Sequence, residues 1–383
     1  MQEQFSQGLD ISCGMLYGLG KCKDTELIIP EGVEKIMSKF AMSEGLERIE
    51  SIVFPSTLKD MEVGVLRECK NLVRAVFKDG MRYARARMFE NLPKLTEVVL
   101  PASWETILYS TFEGCKNLRR VVIPEGIKKI GDKAFGGCGN LEELSLPDSL
   151  TSVSNTAFDG CKQLCETENG VTYVGNWVLC GNKSATEVTL REGTRGIASL
   201  AFVYCKNLKT ITLPDSLRYV CKGAFEGCSA LEAFDLPIEF QRIEEQALYG
   251  CTALRRITLP FVESRSIGKL FGCHSDGGEN ERYMPKSLKT VVLTKGTHLP
   301  EDAFIWCMHL EKIVLPDELV FIGESAFMSC ESLTEIKIPD GVTEIGARAF
   351  FGCKNLARVE WPPVRPKIGP SAFYNTQIVL EDN

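Results

Sequence analysis

The chain has 383 residues, is 44% hydrophobic and 25% charged, and carries a formal net charge of −7. This is the composition of a soluble protein with enough apolar residues to bury a large core. Acidic and basic residues are mixed throughout, without the basic block that a phosphate backbone attracts, so we exclude nucleic acid as a partner. No apolar run approaches the roughly 18 residues of a membrane-spanning helix, so we expect no membrane span.

The chain begins MQEQFSQGLDISC, which lacks the basic and apolar regions of a signal peptide. Taken alone, these residues predict a cytoplasmic protein, or one from which a signal has been removed. The following GMLYGLGKCKDTELIIP resembles a later stretch, because Gly14 and Tyr17 are echoed by Gly170 and Tyr173. Both stretches are interpreted as hairpins.

A 23-residue repeat organises most of the chain. Residues 112–138 read FEGCKNLRRVVIPEGIKKIGDKAFGGC, and Phe112 and Cys115 return as Phe135 and Cys138. With Phe112 as position 1, eleven of the sixteen cysteines share position 4: Cys69, Cys115, Cys138, Cys161, Cys205, Cys228, Cys251, Cys273, Cys307, Cys330 and Cys353. One such unit cannot bury its apolar side alone, so the periodicity predicts a solenoid in which each repeat is one coil.

Each repeat contains one clear strand signal. Positions 10 and 12 are apolar around a polar or β-branched residue, as in Ile211-Thr212-Leu213, and proline follows at position 13. The apolar positions 16, 19, 23 and 1 indicate a tight turn followed by a short helical or 3-10 segment, with glycine at position 20 serving the corner. The predicted fold class is therefore an α/β repeat solenoid, a right-handed superhelix with short parallel strands on one face and turns or short helices on the other.

The repeat unit can be compared with known repeats. Its form, Phe-x-x-Cys-x-x-Leu-x-x-Ile-x-Leu-Pro-x-x-Leu-x-x-Ile-Gly, resembles the Treponema-type, or BspA-like, leucine-rich repeat over nearly the whole chain. The resemblance implies a leucine-rich-repeat fold, a cell-surface or secreted location, and adhesion to host proteins or to other cells. The shared residues are core residues, so no functional residue of the family is carried over.

We predict one continuous solenoid over residues 1–383, with about 14 coils. Its parts are an N-terminal hairpin or cap (1–40), a first array (41–164), an inserted hairpin (165–186), a second array (187–362) that carries an acidic loop (274–286), and a C-terminal cap (363–383).

The cysteines allow several interpretations. A zinc site needs closely spaced pairs, and only Cys161 and Cys165 come near that spacing. Disulfides between coils are awkward because equivalent side chains point in parallel. We therefore expect the position-4 cysteines to be small buried hydrophobes. The better candidates for exposed or reactive thiols are Cys13, Cys22, Cys165, Cys180 and Cys221.

No catalytic or cofactor motif stands out. His274, His298 and His309 have no nucleophile beside them in sequence, and no phosphate loop or nucleophile elbow is present. Carboxylates at Asp276, Glu279 and Glu281 suggest a calcium site, but their spacing matches no EF-hand, and a solvated acidic loop is the preferred interpretation. We expect no enzyme, no metal and no cofactor.

The outward strand face is the preferred binding surface. Position 11 is valine in four consecutive coils, while charges of opposite sign alternate at position 9, which favours ion pairing between strands. Two interpretations remain open: an ordinary β ladder, or a protein-binding patch. The aromatic residues of the inserted hairpin also allow two interpretations, since they could contact a partner or anchor the hairpin in the core. The candidate partner-binding residues are Arg74, Val76, Val99, Arg120, Val122, Tyr173 and Trp177.

The predicted function is that of a non-catalytic protein-binding module. The resemblance favours bacterial surface adhesion or host interaction, with an extracellular-matrix or bacterial surface protein as partner and a glycan as a further candidate. The alternative is a cytosolic scaffold or adaptor, favoured by the N-terminal sequence and the many thiols. We expect a monomer.

Overall fold

The computed structural model describes residues 5–82, 85–260, 266–273 and 280–379, apart from the side chains of 280 and 281. The chain divides into two compact units, the first comprising Met1–Glu168 with Thr172–Leu179 and the second Asn169–Val171 with Cys180–Asn383. Predictions about residues 274–279, including those for His274, Asp276 and Glu279, fall outside the described residues, as does the side chain of Glu281.

Most of the regular structure up to residue 180 consists of short strands. They are β1 (Asp10–Ser12), β2 (Met15–Gly18), β3 (Glu26–Ile28), β4 (Lys35–Ile36), β5 (Ser51–Phe54), β6 (Asp60–Met61), β7 (Arg74–Phe77), β8 (Glu97–Val99), β9 (Thr106–Ile107), β10 (Arg120–Val122), β11 (Lys129–Ile130), β12 (Glu143–Ser145), β13 (Ser152–Val153), β14 (Glu166–Glu168), β15 (Val171–Val174) and β16 (Trp177–Cys180). Two 3-10 helices lie at Ser38–Met42 and Leu46–Arg48.

The rest of the chain repeats this pattern. Its strands are β17 (Glu187–Thr189), β18 (Gly196–Ile197), β19 (Thr210–Thr212), β20 (Tyr219–Val220), β21 (Ala233–Asp235), β22 (Arg242–Ile243), β23 (Arg256–Leu259), β24 (Thr290–Leu293), β25 (His298–Leu299), β26 (Lys312–Val314), β27 (Phe321–Ile322), β28 (Glu335–Lys337), β29 (Glu344–Ile345), β30 (Arg358–Glu360) and β31 (Lys367–Ile368). A 3-10 helix lies at Ile267–Phe271, and α1 spans only Asn280–Tyr283.

The strands pair from coil to coil with a register equal to the repeat. In the first unit, β12, β10, β8, β7, β5 and β3 form one six-stranded sheet in that order. Its strand β10 is parallel to both neighbours, with Arg120 opposite Glu97 on one side and Glu143 on the other. In the second unit the corresponding sheets have the orders β17-β19, β21-β23-β24-β26 and β28-β30. Equal register brings identical repeat positions side by side.

Most of the described coils also have a second strand, which the sequence did not reveal. Lys129–Ile130 pairs in parallel with Thr106–Ile107 of the coil before and Ser152–Val153 of the coil after. In the second unit, β25, β27, β29 and β31 form the same kind of ladder. Pairing between coils satisfies backbone groups that a single isolated helical turn would leave unpaired.

The predicted α/β class is therefore wrong. The described residues contain one α-helix, of four residues, and the turns that follow the second strand are not α-helical. The fold is a leucine-rich-repeat β-solenoid built on parallel strands. Its continuity over 1–383, its capped ends and its right-handed superhelix stay predictions, although β1 and β2 do form an antiparallel pair within residues 1–40.

The core of each unit is a column of equivalent side chains. Position-1 phenylalanines stack with ring centroids 5.2 Å apart for Phe89 and Phe112, and 5.1 Å apart for Phe112 and Phe135. In the second unit, Phe327 and Phe350 are 5.0 Å apart. The leucines at position 7, such as Leu118 at 0% exposure, fill the space beside them. Burial of these large side chains supplies most of the driving force for folding.

Candidate protein-binding surface

The position-11 valines of the first unit form a continuous row on the outer strand face. Val53, Val76, Val99 and Val122 lie opposite one another in successive parallel strands. Val122 is 51% exposed, while Val76 and Val99 are half-buried. The sheet therefore presents an apolar stripe to solvent in which each valine packs against its neighbours.

The position-9 charges beside this row pair as their alternation predicted. Arg74 Nε lies 2.9 Å from Glu97 Oε2, and Arg120 Nε lies 3.4 Å from Glu143 Oε2. All four side chains are substantially exposed, and such pairs typically contribute only about 0.2–1 kcal/mol to stability. The pairs order the edge of the row without adding much to the free energy of folding.

A shallow depression opens next to the valine row. It is lined by Val73, Lys94, Thr96, Glu97, Asn117, Arg119 and Arg120. Within the described residues, Lys94 and Arg119 have no ion pair, whereas Glu97 is already paired with Arg74. The depression therefore has an excess of positive charge, which attracts acidic groups.

The hairpin aromatics occupy a different environment from the strand face. Tyr173 on β15 and Trp177 on β16 are each 1% exposed. The interpretation of these rings as an interface is therefore wrong, and the alternative of core anchoring describes them. Burial of these aromatic rings in the core stabilises the fold more than their exposure on a protruding turn would.

The position-4 cysteines are buried, as expected, and the structure adds a second role. The thiol of Cys115 donates a hydrogen bond to the carbonyl oxygen of Phe89 at 2.9 Å, and that of Cys353 donates to Phe327 at 3.0 Å. The same bond recurs in five more coils, with donors Cys138, Cys161, Cys228, Cys251 and Cys330. Each thiol satisfies a backbone acceptor in the preceding coil, which a plain hydrophobe could not do.

Burial makes these thiols unreactive. It raises the pKa of Cys115 to about 12 and that of Cys353 to about 12, because the apolar core disfavours the thiolate. Among the cysteines proposed as accessible, Cys13 and Cys180 are exposed and Cys165 is half-buried. Cys22 and Cys221 are buried, so their prediction was wrong. Their place outside the repeat pattern did not indicate exposure, since each still packs into the core.

Both described histidines, His298 and His309, belong to the second unit. His298 is exposed on β25, with Nδ1 at 2.9 Å from the hydroxyl of Thr297, and His309 is half-buried beside core Leu310. No cluster of three His, Cys, Asp or Glu side chains that could hold a metal occurs in the described part of the chain. Within that part, no helix has the length and apolar character that a membrane crossing requires.

Comparison with known families gives one decisive match. The model of the BspA type leucine-rich repeat region matches residues 35–165, 165–271 and 280–380, in six copies. The chain belongs to the BspA-type leucine-rich repeat family. Leucine-rich repeats generally form protein–protein interaction modules, because stacked coils offer an extended binding surface. No curated protein matches the chain.

Several solved bacterial structures are similar to the chain. A leucine-rich repeat protein from Bacteroides ovatus is 26% identical, with 94% of this chain and 87% of that chain covered and a TM-score of 0.39. One from Eubacterium ventriosum is 19% identical, with coverages of 83% and 86% and a TM-score of 0.41. The T. pallidum leucine-rich repeat protein is 19% identical, with coverages of 74% and 78% and a TM-score of 0.21. Because these TM-scores are low, the family assignment rests on the match to the repeat family and not on these structures.

Proposed function

We propose that the chain is a non-catalytic binding module whose outer strand face in the first unit takes a protein partner. The surface consists of Arg74, Val76, Val99, Arg120 and Val122. The observation that best supports this proposal is the valine row, which stays partly exposed to solvent although its members pack side by side. A contiguous apolar row with a charged rim is the usual composition of a protein interface.

The charge beside the row favours an acidic partner segment. Lys94 and Arg119 are left without ion pairs in the described residues and face the same depression as Arg120. A partner that lays apolar side chains on the valines and carboxylates in the depression would satisfy both features. Such charges mainly set the association rate and the choice of partner.

Adhesion at a bacterial surface is the process that we propose for this binding. It is supported by the family to which the chain belongs, and the partner would be a host extracellular-matrix protein, another bacterial surface protein or a glycan. The corresponding location is the cell surface or outside the cell.

The experiment is capture from extracellular-matrix extract on immobilised protein, compared between the wild type and a Val99→Asp/Val122→Asp variant. The matched control is Val63→Asp, since Val63 is 66% exposed in the same unit but lies outside the row. We expect the double variant to lose a captured protein that the wild type and the control retain. If the wild type and both variants capture the same proteins and unfold at the same temperature, the valine row is an ordinary β ladder and not a binding site.

A cytosolic scaffold is the second candidate, and the thiols favour it. The described residues contain no disulfide, and reduced thiols are typical of reducing compartments. Labelling intact cells with a membrane-impermeant thiol reagent separates the two candidates. Modification of Cys13 or Cys180 in intact cells supports the surface location, and modification only after lysis supports the scaffold.

A further inference from the structure

A shallow pocket of about 300 Å³ opens on the turn side of the second unit. It is lined by Glu226, Gln246, Tyr249, Gly272 and Tyr283, and we call it the tyrosine pocket. Glu226, Tyr249 and Gly272 come from the turns of three successive coils, while Tyr283 is the last residue of α1. The pocket contains no residue of the valine row and belongs to the other unit.

Glycines let two tyrosine rings pack directly onto the backbone of the following coil. A Cβ added at Gly272 would lie only 2.8 Å from Cδ2 of Tyr249, so the ring occupies the space of the missing side chain. Tyr204 is placed in the same way, since a Cβ at Gly227 would lie within 2.4 Å of its Cδ1. Both glycines occupy repeat position 3, two coils apart, so the two rings are separated by about 10 Å along the stack of coils.

Both rings remain open to solvent on their outer side. Tyr204 is 56% exposed and Tyr249 is 46% exposed, and neither phenolic hydroxyl has a hydrogen-bond partner in the described residues. The repeat does not require a tyrosine there, because Glu113 and Asp159 occupy the position of Tyr249 in the first unit. An exposed tyrosine fixed in this way presents apolar surface and a polar tip together, which suits a ligand of mixed polarity.

The polar side chains of the pocket are available to a ligand. Glu226 and Gln246 are half-buried, and their side chains make no hydrogen bond or ion pair with the described residues. Their backbone is fixed, since the amide of Gln246 donates to the carbonyl of Lys269 at 2.7 Å and the carbonyl of Glu226 accepts from Tyr204 at 2.7 Å. A carboxylate accepts hydrogen bonds, and an amide both donates and accepts them. Together they suit a ligand rich in hydroxyl groups.

The charges around the pocket favour a neutral ligand. Nζ of Lys206 lies 5.9 Å from the centre of the Tyr204 ring, and Cζ of Arg282 lies 5.7 Å from that of Tyr283. A cationic ligand, which aromatic rings would otherwise attract, therefore has to compete with these two side chains. An anionic ligand would meet the Glu226 carboxylate, which is the charged group among the five lining residues.

We propose that the tyrosine pocket binds a neutral oligosaccharide. The C–H face of a sugar ring packs against an aromatic ring, while its hydroxyl groups bond to carboxylates and amides. One sugar would pack on Tyr249 and bond to Glu226 and Gln246, and a further sugar of the same chain would reach Tyr204. Because the two rings lie two coils apart, an oligosaccharide covers both, whereas a single sugar covers one. An aromatic lining with a few polar groups is the usual composition of a small-ligand site.

The first test is retention of the wild type on immobilised hexasaccharides of glucose, galactose, mannose or N-acetylglucosamine. Hyaluronan oligosaccharides and immobilised choline serve as the anionic and cationic comparisons. We expect at least one neutral hexasaccharide to bind, and to bind more strongly than either charged probe. Failure to bind any neutral hexasaccharide, or stronger binding of a charged probe, overturns the proposal.

The second test removes the ring that lines the pocket. Isothermal titration calorimetry with the best neutral hexasaccharide should show binding that is weaker by about tenfold or more for Tyr249→Ala. Tyr374→Ala is the matched control, because Tyr374 is 65% exposed in the same unit but lies outside the pocket. Thermal unfolding checks that each variant is folded. Equal dissociation constants for Tyr249→Ala and the wild type would show that the sugar binds elsewhere.

The polar contacts and the neutrality of the ligand are tested with the same calorimetry. Glu226→Ala should also weaken binding by about tenfold, because it removes the carboxylate that accepts from the sugar hydroxyls. The wild-type affinity should stay constant from about 0.05 M to about 0.5 M sodium chloride, since a neutral ligand has no charge for salt to screen. Unchanged affinity of Glu226→Ala, or a steep loss of wild-type affinity in salt, contradicts the proposal.

A variant of the valine row separates this site from the binding surface proposed above. Val122→Asp should leave the affinity for the hexasaccharide unchanged, whereas Tyr249→Ala should leave the capture of a protein partner unchanged. The two proposals can therefore fail independently. Loss of hexasaccharide binding in Val122→Asp, with binding retained in Tyr249→Ala, would place the sugar on the valine row and overturn the assignment to the tyrosine pocket.

Discussion

The thiol of Cys138 donates a hydrogen bond to the carbonyl oxygen of Phe112 in the preceding coil, 3.2 Å away. The two residues are 26 positions apart, and the same separation recurs wherever this bond forms in the two units. The cysteine at position 4 is therefore both a packing element and a link between adjacent coils. This relationship gives the thiols a structural role that can be measured.

Removal of one such link should weaken the fold. Cys138→Ala deletes the donor and leaves a small cavity, so we expect the free energy of unfolding to fall by about 2 kcal/mol. Cys180→Ala serves as control, because Cys180 is exposed and its replacement should change stability by less than about 0.5 kcal/mol. Urea unfolding measures both. Equal effects of the two substitutions would argue against the link.

Thiol accessibility provides a second prediction. Cys13 and Cys180 are exposed and Cys165 is half-buried, whereas the other thirteen cysteines are buried. Under native conditions a thiol reagent should label two cysteines rapidly and Cys165 slowly, and all sixteen should react after unfolding. Mass spectrometry of labelled peptides identifies the sites. Rapid native labelling of Cys115 or Cys138 would contradict the buried ladder.

The buried thiols also predict loss of stability in alkali. Burial raises the pKa of Cys115 from 9.0 to about 12, and that of Cys251 likewise to about 12. The folded state therefore keeps protons that the unfolded state releases above pH 9. The stabilisation is complete below pH 9 and is lost as the pH rises toward 12, at up to about 1.4 kcal/mol per pH unit for each thiol.

Chemical unfolding at a series of pH values measures this effect. Cys115→Ala should be less stable than the wild type at neutral pH but should lose stability less steeply above pH 9. Identical slopes for the wild type and the variant would show that Cys115 does not contribute to the alkaline loss.

The hairpin aromatics should affect stability and leave binding unchanged. Tyr173 and Trp177 are 1% exposed, so Trp177→Phe should lower the free energy of unfolding by about 1–3 kcal/mol by removing packed atoms. The affinity of the folded variant for a captured partner should equal that of the wild type. If Trp177→Phe leaves the stability unchanged but lowers the affinity, Trp177 contributes to binding, and its assignment to the core alone is wrong.

The period of the repeat accounts for what the sequence predicted correctly. Because equivalent residues return every 23 positions, the register of the parallel strands, the phenylalanine column and the burial of Cys115 and its equivalents all follow from it. The pairing of Arg74 with Glu97 follows for the same reason. Any side chain at a repeat position lies beside its equivalent in the next coil.

Other features depend on contacts that the period does not contain. The strand at Lys129–Ile130 is too short to show alternation, and its neighbouring apolar spacing is close to that of a helical turn. Which side of a hairpin packs against the core depends on tertiary structure, so the burial of Tyr173 and Trp177 could not be decided.

The most direct test of the proposed function is the dissociation constant for a partner captured by the wild type. It is compared among the wild type, Val122→Asp and Val63→Asp, all shown to be folded and free of the partner beforehand. Val122 is 51% exposed at one end of the valine row in the proposed surface, while Val63 is 66% exposed outside it. We expect binding at least tenfold weaker for Val122→Asp and unchanged for Val63→Asp. Equal dissociation constants for all three proteins would contradict a binding role of the valine row.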